Sequence, residues 1–250
     1  YMLPQGADLK NAGVIYDRAN SSFSHLRVED LDWDQLFAGI SHFHLSAISP
    51  ALNQNVADLC IAAAKAAFNR GIVVTFDLNY RAKLWKYGKE PLDIVPLILP
   101  YCSLVMGNIW AANTLLGIPI DAEVQVNNAD KDRYVQEAVA SARALMEKYP
   151  NVTKVAYTFR FDAPPSGIQY FATWHSGDDF VVSSEFEAPT VVDKVGSGDC
   201  FMAGLLYGLY RQLPDEKLIN FAASAAFGKL QEYGDATAQR EEDVLNRLKI

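Results

Sequence analysis

From Val191 to Gly204 the chain reads Val-Val-Asp-Lys-Val-Gly-Ser-Gly-Asp-Cys-Phe-Met-Ala-Gly, and the residues at its centre combine an anion cradle with a candidate base. Gly196 and Gly198 carry no Cβ, so the backbone between a β-branched pair and a small-residue helix can aim successive N–H groups at one point. Clustered N–H groups at a helix N-terminus, with Ser197 among them, make an anion site. Asp199 stands at the mouth of that turn. The helix dipole tolerates a carboxylate there, but a phosphate resting in the cradle would repel it, which points to a task beyond capping. That task is taking the proton of a hydroxyl that attacks a phosphoryl group. A plainer description fits the same residues, a strand-to-helix loop with Asp199 as its cap. Asp193 is read as shaping the turn or its cation environment and not as the base.

A second stretch, Val73-Val74-Thr75-Phe76-Asp77-Leu78-Asn79-Tyr80-Arg81-Ala82-Lys83-Leu84-Trp85, ends an apolar strand in polar groups. An arginine fork at such a strand end can hold a carboxylate or phosphate at two points. A capped turn with Arg81 on the surface would have the same sequence. Near the start, Tyr16 and Arg18 share one face of an extended run by period-two geometry. That suits joint contact with a ligand and suits a surface pair equally.

These groups need rigid elements behind them, and the chain reads as alternating strands and helices. Ser41 to Ile48 is a strand on which His42 and His44 are ordinary strand residues. Asn53 to Arg70 is an Ala-rich helix with apolar residues at Val56, Leu59, Cys60, Ala63, Ala67 and Phe68, closed by Gly71. Further strands are expected at Ile72 to Leu78, Tyr101 to Gly107 and Thr153 to Thr158, with helices at Ile109 to Leu116 and Asp130 to Lys148. Ile168 to Trp174 and Phe180 to Phe186 read as the arms of a hairpin. Helices return at Asp199 to Arg211, Asp215 to Gln231 and Glu241 to Lys249. This alternation predicts a parallel sheet flanked by helices, with ligands beyond the carboxyl ends of its strands. Tyr1 to Ser24 differs, with glycines and short extended runs that read as strands of a small separate sheet.

Composition sets the outer bounds. The 250 residues are 50% hydrophobic and carry a net charge of −8, enough for one large core and unsuited to nucleic acid. No basic cluster, apolar run of membrane length or secretory leader is read in the chain, so no nucleic-acid or membrane partner is expected and the localisation is expected to be cytoplasmic. Cys60, Cys102 and Cys200 lack metal-ligand spacing and are read as reduced thiols.

The 191–204 run resembles the second signature of the ribokinase, or PfkB, family of sugar kinases, Asp-Thr-Val-Gly-Ala-Gly-Asp followed by a small or aromatic residue and Ala-Gly. Lys194 and Ser197 are its departures before Cys200. Asp77-Leu78-Asn79-Tyr80-Arg81 with Leu84-Trp85 is similar to the corresponding loop of the branch of that family acting on 2-keto-3-deoxygluconate, an acidic sugar. His44 to Ile48 followed by Pro50 is similar to the family's central strand. Val14 to Arg18 is similar to the branch's lid strand, and Tyr1 resembles another lid tyrosine.

The resemblance implies an α/β fold: a ribokinase-like three-layer sandwich with a mostly parallel central sheet and a small β lid. Residues 1–24 would be part of the lid and residues 25–250 the kinase core, with the family's opening strands and Gly-Gly motif missing. The implied activity is ATP-dependent phosphorylation of a sugar acid, with ATP and Mg²⁺ as cofactors. The implied catalytic set is Asp199 with Gly196, Ser197 and Gly198, and the implied substrate set is Tyr1, Tyr16, Arg18, Tyr80 and Arg81. Asn108, Thr158, Arg160, Gly196, Gly198, Ala226 and Leu230 are implied on the nucleotide side, the last two within an adenine-side helix and loop. No metal ligand is assigned directly, because Ala111 stands where the family carries a glutamate that orders water around Mg²⁺. A homodimer through the lid is implied as well. A kinase of a neutral sugar or nucleoside in the same family, or a non-catalytic sugar- or nucleotide-binding relative, remains as an alternative.

Overall fold

A computed structural model describes residues 15–125, 130–163 and 167–248. The chain divides into two compact units, one of Tyr1–Ser103 with Thr114–Gly117 and the other of Leu104–Asn113 with Ile118–Ile250.

In the first unit, α1 (Ser22–His25) begins on Ser21, whose hydroxyl accepts from the Ser24 N–H, and α2 (Trp33–Leu36) begins on Asp32, whose carboxylate accepts from the N–H groups of Asp34 and Gln35. A single 3-10 turn, Val28–Asp30, separates them. β1 (His42–Ser46) then leads into α3 (Gln54–Phe68) and β2 (Val73–Asp77). The strands run parallel, His42 opposite Val73 through Ser46 opposite Asp77, and α3 is the crossover such a pair requires. Asn53 caps α3 by accepting from the Val56 N–H at 3.0 Å, and Gly71 follows it at φ +71°, where a side chain would be strained. One face of α3 is buried through Val56, Leu59, Cys60, Ala63 and Ala67. As expected, both histidines of β1 are bound locally. His44 Nδ1 lies 2.9 Å from Thr75 Oγ1 and His42 Nδ1 lies 2.9 Å from Ser41 Oγ. α4 (Pro91–Ile98) and a 3-10 turn at Leu99–Tyr101 complete the unit, so the strand expected from Tyr101 starts only at Leu104.

In the second unit, β3 (Leu104–Gly107), α5 (Ile109–Leu116), α6 (Ala122–Gln125) and α7 (Lys131–Lys148) lead to β4 (Lys154–Ala163). β3 and β4 are parallel, Leu104 opposite Lys154. β5 (Gly167–Ser176) pairs antiparallel with the whole of β4, which therefore runs well past the Thr158 end expected from its apolar run. The expected second hairpin arm is broken into β6 (Asp179–Val182), at one end of β5, and β7 (Phe186–Ala188), at the other. Ser183 is the cause. Its backbone N–H donates to the Ala172 carbonyl while its own hydroxyl accepts from the Ala172 N–H, so a side chain takes a ladder position and the strand kinks.

α8 (Ser197–Tyr210), α9 (Asp215–Lys229) and α10 (Glu241–Arg247) follow. A Cβ on Gly204 would lie 2.7 Å from the Ala222 Cα, which shows how closely α8 and α9 approach. Their shared core includes Phe201, Leu205, Leu218, Ala222 and Ala226, with Trp174 and Ala172 from β5. Each large apolar side chain buried there contributes about 1.5–3 kcal/mol.

All three cysteines are free and buried, as expected of reduced thiols, and burial pushes Cys60 and Cys102 up to about 12. Among the described residues no helix is long and apolar enough to cross a membrane. Of the expected lid, Tyr1 and the other residues to 14 lie outside the described residues.

Candidate functional site

The second unit holds the 196–199 turn that the sequence reads as an anion cradle. Gly196 precedes α8 in the left-handed region, φ 78° and ψ −4°, and a Cβ there would fall 2.1 Å from the Asp235 carbonyl oxygen. Glycine is thus required twice, by conformation and by space. The first bond back along the helix runs from the Cys200 N–H to the Gly196 carbonyl at 2.9 Å. The N–H groups of Ser197, Gly198 and Asp199 precede it and have no intrahelical acceptor. Gly198 and Asp199 are exposed, with the Asp199 carboxylate in the first turn of α8. The Ser197 hydroxyl turns inward and donates to the Ala226 carbonyl at 3.0 Å, leaving only its backbone N–H for a ligand.

The turn is braced from behind. Asp193 accepts from the Val195 N–H at 3.0 Å and from the Gly234 N–H at 3.1 Å, the shaping role read from its place in the loop. The Val192 N–H donates to the Leu230 carbonyl at 2.8 Å, so Ala226 and Leu230 reach the cradle through main-chain carbonyls while their side chains are buried. Lys194, a departure from the family signature, reaches Asp162 on β4 at 3.8 Å.

Other expected residues of this unit lie on β4 and at the start of α5. Thr158 and Arg160 share one face of β4, and the Thr158 hydroxyl donates to the Gly107 carbonyl at 3.3 Å. Their neighbour Tyr170 is pushed up by burial, which the Arg160 charge and a bond with Thr158 oppose. Asn108 caps α5, its side-chain oxygen accepting from the Ala111 N–H at 2.8 Å, and Ala111 is buried. Among the described residues no cluster of three or more histidines, cysteines or carboxylates is placed to hold a metal ion. A cleft of about 430 Å³ runs along β4, β5 and α7 past Lys131, Phe161 and Glu185, the lysine and glutamate forming an ion pair.

In the first unit, Asp77 ends β2 buried, and its carbonyl accepts from the Ala47 N–H at 2.9 Å. The chain then turns sharply, the Tyr80 N–H donating to the Leu78 carbonyl at 2.7 Å. Arg81 is exposed, its guanidinium donating to the Tyr80 carbonyl at 2.9 Å. Leu84 is buried, and Trp85 stacks on Tyr87 with ring centres 6.0 Å apart. The Tyr87 hydroxyl ties that pair down by donating to the Pro50 carbonyl at 2.7 Å. Arg18 lies over the Tyr16 ring at 5.7 Å, the same-side placement that their spacing predicts.

Sequence reasoning missed Lys229, which is fully buried, and the Glu232–Asp235 turn that it holds. The available signal was a charged residue inside the otherwise apolar run Phe227-Gly228-Lys229-Leu230.

Comparison with known proteins bears on the cradle and the fold together. The family model described as pfkB family carbohydrate kinase matches residues 7–242. A 2-dehydro-3-deoxygalactonokinase of Haloferax volcanii is 26% identical over 247 residues, which is 98% of this chain and 68% of that protein. The crystal structure of 2-dehydro-3-deoxygluconokinase from Thermotoga maritima superposes with a TM-score of 0.83 at 27% identity, covering 95% of this chain and 69% of that one. A putative ribokinase II from E. coli, solved with ATP and Mg²⁺, shares the fold at a TM-score of 0.67 and 16% identity, covering 96% of this chain and 68% of that one. The glycine-led turn at the head of α8, the ribokinase-like α/β fold around it and a family match across nearly the whole chain lead to one conclusion: this chain belongs to the pfkB family of carbohydrate kinases.

Proposed function

We propose that this chain phosphorylates a sugar acid with ATP, converting 2-keto-3-deoxygluconate to its 6-phosphate, with Asp199 as general base and the 196–199 turn as anion hole. The observation that carries the reading is the start of α8, where N–H groups without an intrahelical acceptor and an exposed carboxylate occupy consecutive residues. The names of the Haloferax and Thermotoga relatives, both kinases of deoxy sugar acids, support the substrate class.

In this reading the terminal phosphates of ATP lie against the N–H groups of Gly196, Ser197 and Gly198. The sugar's terminal hydroxyl faces Asp199. The hydroxyl oxygen bonds to the γ-phosphorus, the bond from that phosphorus to the β–γ bridging oxygen breaks, ADP leaves, and the hydroxyl proton passes to Asp199. The N–H groups offset charge on the moving phosphoryl group without having to reorganise. Arg81 and Arg18 are assigned to the sugar carboxylate, and Tyr1, Tyr16 and Tyr80 to its neighbouring groups. Asn108, Thr158 and Arg160 are assigned to the phosphates, and Ala226 and Leu230 to the adenine side. The chain's own donor set does not build a cage for Mg²⁺, with Ala111 buried and no carboxylate cluster among the described residues, so the ion would be carried by the phosphates and water. We further propose a homodimer through residues 1–24, checked by light scattering.

Asp199→Asn tests the central claim. It should lower kcat by roughly a hundredfold or more while leaving ATP affinity in place, because removing a general base acts on the transition state alone. Near-normal turnover would take Asp199 out of the mechanism.

A further inference from the structure

Lys229 is the last residue of α9, and its exposure is 0%. Its ammonium donates to the Glu232 carbonyl at 2.9 Å. Among the described residues the ion pairs do not include it. The Glu232 carboxylate is engaged elsewhere, accepting from the Thr237 hydroxyl at 2.6 Å and the Ala238 N–H at 3.3 Å. A lysine at a helix C-terminus gains about 0.3–1 kcal/mol from the dipole, but stripping an ammonium of water costs several kcal/mol. Helix capping therefore accounts for a lysine at this position and not for its burial. A buried charge without an ionic partner is favoured when an anion binds nearby.

An anion site adjoins it. Ala226, one turn earlier in α9, accepts the Ser197 hydroxyl, and Leu230, the next residue, accepts the Val192 N–H, so Lys229 lies between two main-chain ties to the cradle loop. The carbonyl that its ammonium holds begins the turn whose Gly234 N–H binds Asp193 and whose Asp235 carbonyl closes on Gly196. Its charge also acts on the thiol of Cys200, in the first turn of α8, opposing the upward push of burial.

We propose that Lys229 is the internal counter-charge of the phosphate site, a positioning residue that sets a fixed positive charge behind the 196–199 turn and holds the Glu232–Asp235 turn against it. The proposal rests on the reading of that turn as a phosphate site and not on the identity of the sugar.

The test uses the full chain, with ADP as the calorimetric probe at low and high salt, thermal melts, and turnover with ATP and 2-keto-3-deoxygluconate. Lys229→Met keeps length and removes charge, Lys229→Arg keeps charge, and Lys229→Gln can keep the bond to the Glu232 carbonyl without charge. The counter-charge role predicts that Lys229→Met and Lys229→Gln each bind ADP about tenfold or more weakly. The loss should persist at high salt, because a buried charge is poorly screened. Lys229→Met should melt no lower than the parent, since an apolar side chain replaces a buried ion, and Lys229→Arg should stay within about threefold of parental affinity. Parental affinity in Lys229→Met and Lys229→Gln would overturn the proposal. So would equal losses in the Met and Arg variants accompanied by lowered melting, which would make the lysine a packing residue. A parent that binds ADP but does not phosphorylate 2-keto-3-deoxygluconate would remove the sugar assignment and leave the Lys229 comparison intact. A parent that binds no ADP would overturn both.

Discussion

The start of α8 and the end of β2 are both loops that leave a strand edge carrying polar residues, yet they hold those residues in opposite ways. At the start of α8 the groups that would meet a ligand are main-chain N–H groups, and the Ala226 and Leu230 carbonyls, the Asp193 carboxylate and the Gly234 N–H brace the turn. At the end of β2 the group that would meet a ligand is the side chain of Arg81, exposed and, among the described residues, bonded only to the carbonyl of the residue before it. A cradle made of backbone accepts any phosphate of the right shape. An arginine on a turn discriminates by charge and can be exchanged without disturbing the fold. The part of the molecule common to all members of a kinase family is expected to resemble the first, and the part that selects the sugar the second.

Breaking the backbone side of this comparison should give the largest effect. Gly196→Ala places a methyl group 2.1 Å from the Asp235 carbonyl oxygen in a left-handed conformation. The Glu232–Asp235 turn must move, and the chain should lose about 3 kcal/mol of stability together with ADP binding. Gly198→Ala is the contrasting control. Its Cβ would meet only the flexible end of Met106, at 4.0 Å, and its backbone is helical. That variant should gain about 0.5–1 kcal/mol while its methyl group obstructs the phosphate, so melting and ADP affinity should move in opposite directions. Parallel losses in both variants would mean that Gly198 is structural and does not face a ligand.

The same contrast explains what could be read from residues alone. The cradle was legible because its requirements are local, two glycines and an aspartate in fixed order before a small-residue helix. α3 and β2 were legible for a similar reason, a helical apolar period capped by Asn53 and Gly71 and then a continuous apolar strand. The split of the second hairpin arm was not, because it depends on Ser183 meeting Ala172 across the sheet, a partner eleven residues away. Lys229 was hidden for the same reason, since only the packed structure shows that its side chain is buried and bonded to the Glu232 carbonyl. Arg81 sits between these cases. Its place at the strand end was readable, while its task rests on the likeness to kinases of acidic sugars.

The side-chain half of the comparison is sharpened by Arg81→Ala. A charge-assisted hydrogen bond contributes about 1.5–3 kcal/mol, so KM for a ketodeoxy sugar acid should rise by about tenfold or more. KM for a neutral hexose should barely move, and melting should stay within about 0.5 kcal/mol of the parent because the side chain is exposed. Equal penalties for acidic and neutral sugars would defeat the acid-sugar assignment and make the end of β2 as indiscriminate as the cradle.

The smallest expected effect lies away from both regions and checks that acid sensitivity belongs to the core and to neither loop. His175 on β5 is buried at 3% exposure, packs on Phe180 with ring centres 4.5 Å apart, and has no hydrogen-bond partner for its Nε2 among the described residues. Burial, helped by the Arg143 charge, lowers it from 6.5 to about 4. Between those two values the unfolded chain binds a proton that the folded chain does not, so stability falls as pH drops through that window and levels off below it. His175→Phe keeps a ring against Phe180 and removes the titration. Melted side by side at neutral pH and near pH 4, the parent should lose a few degrees more than the variant, the carboxylate contribution being common to both. Equal acid losses would show that His175 does not set the slope.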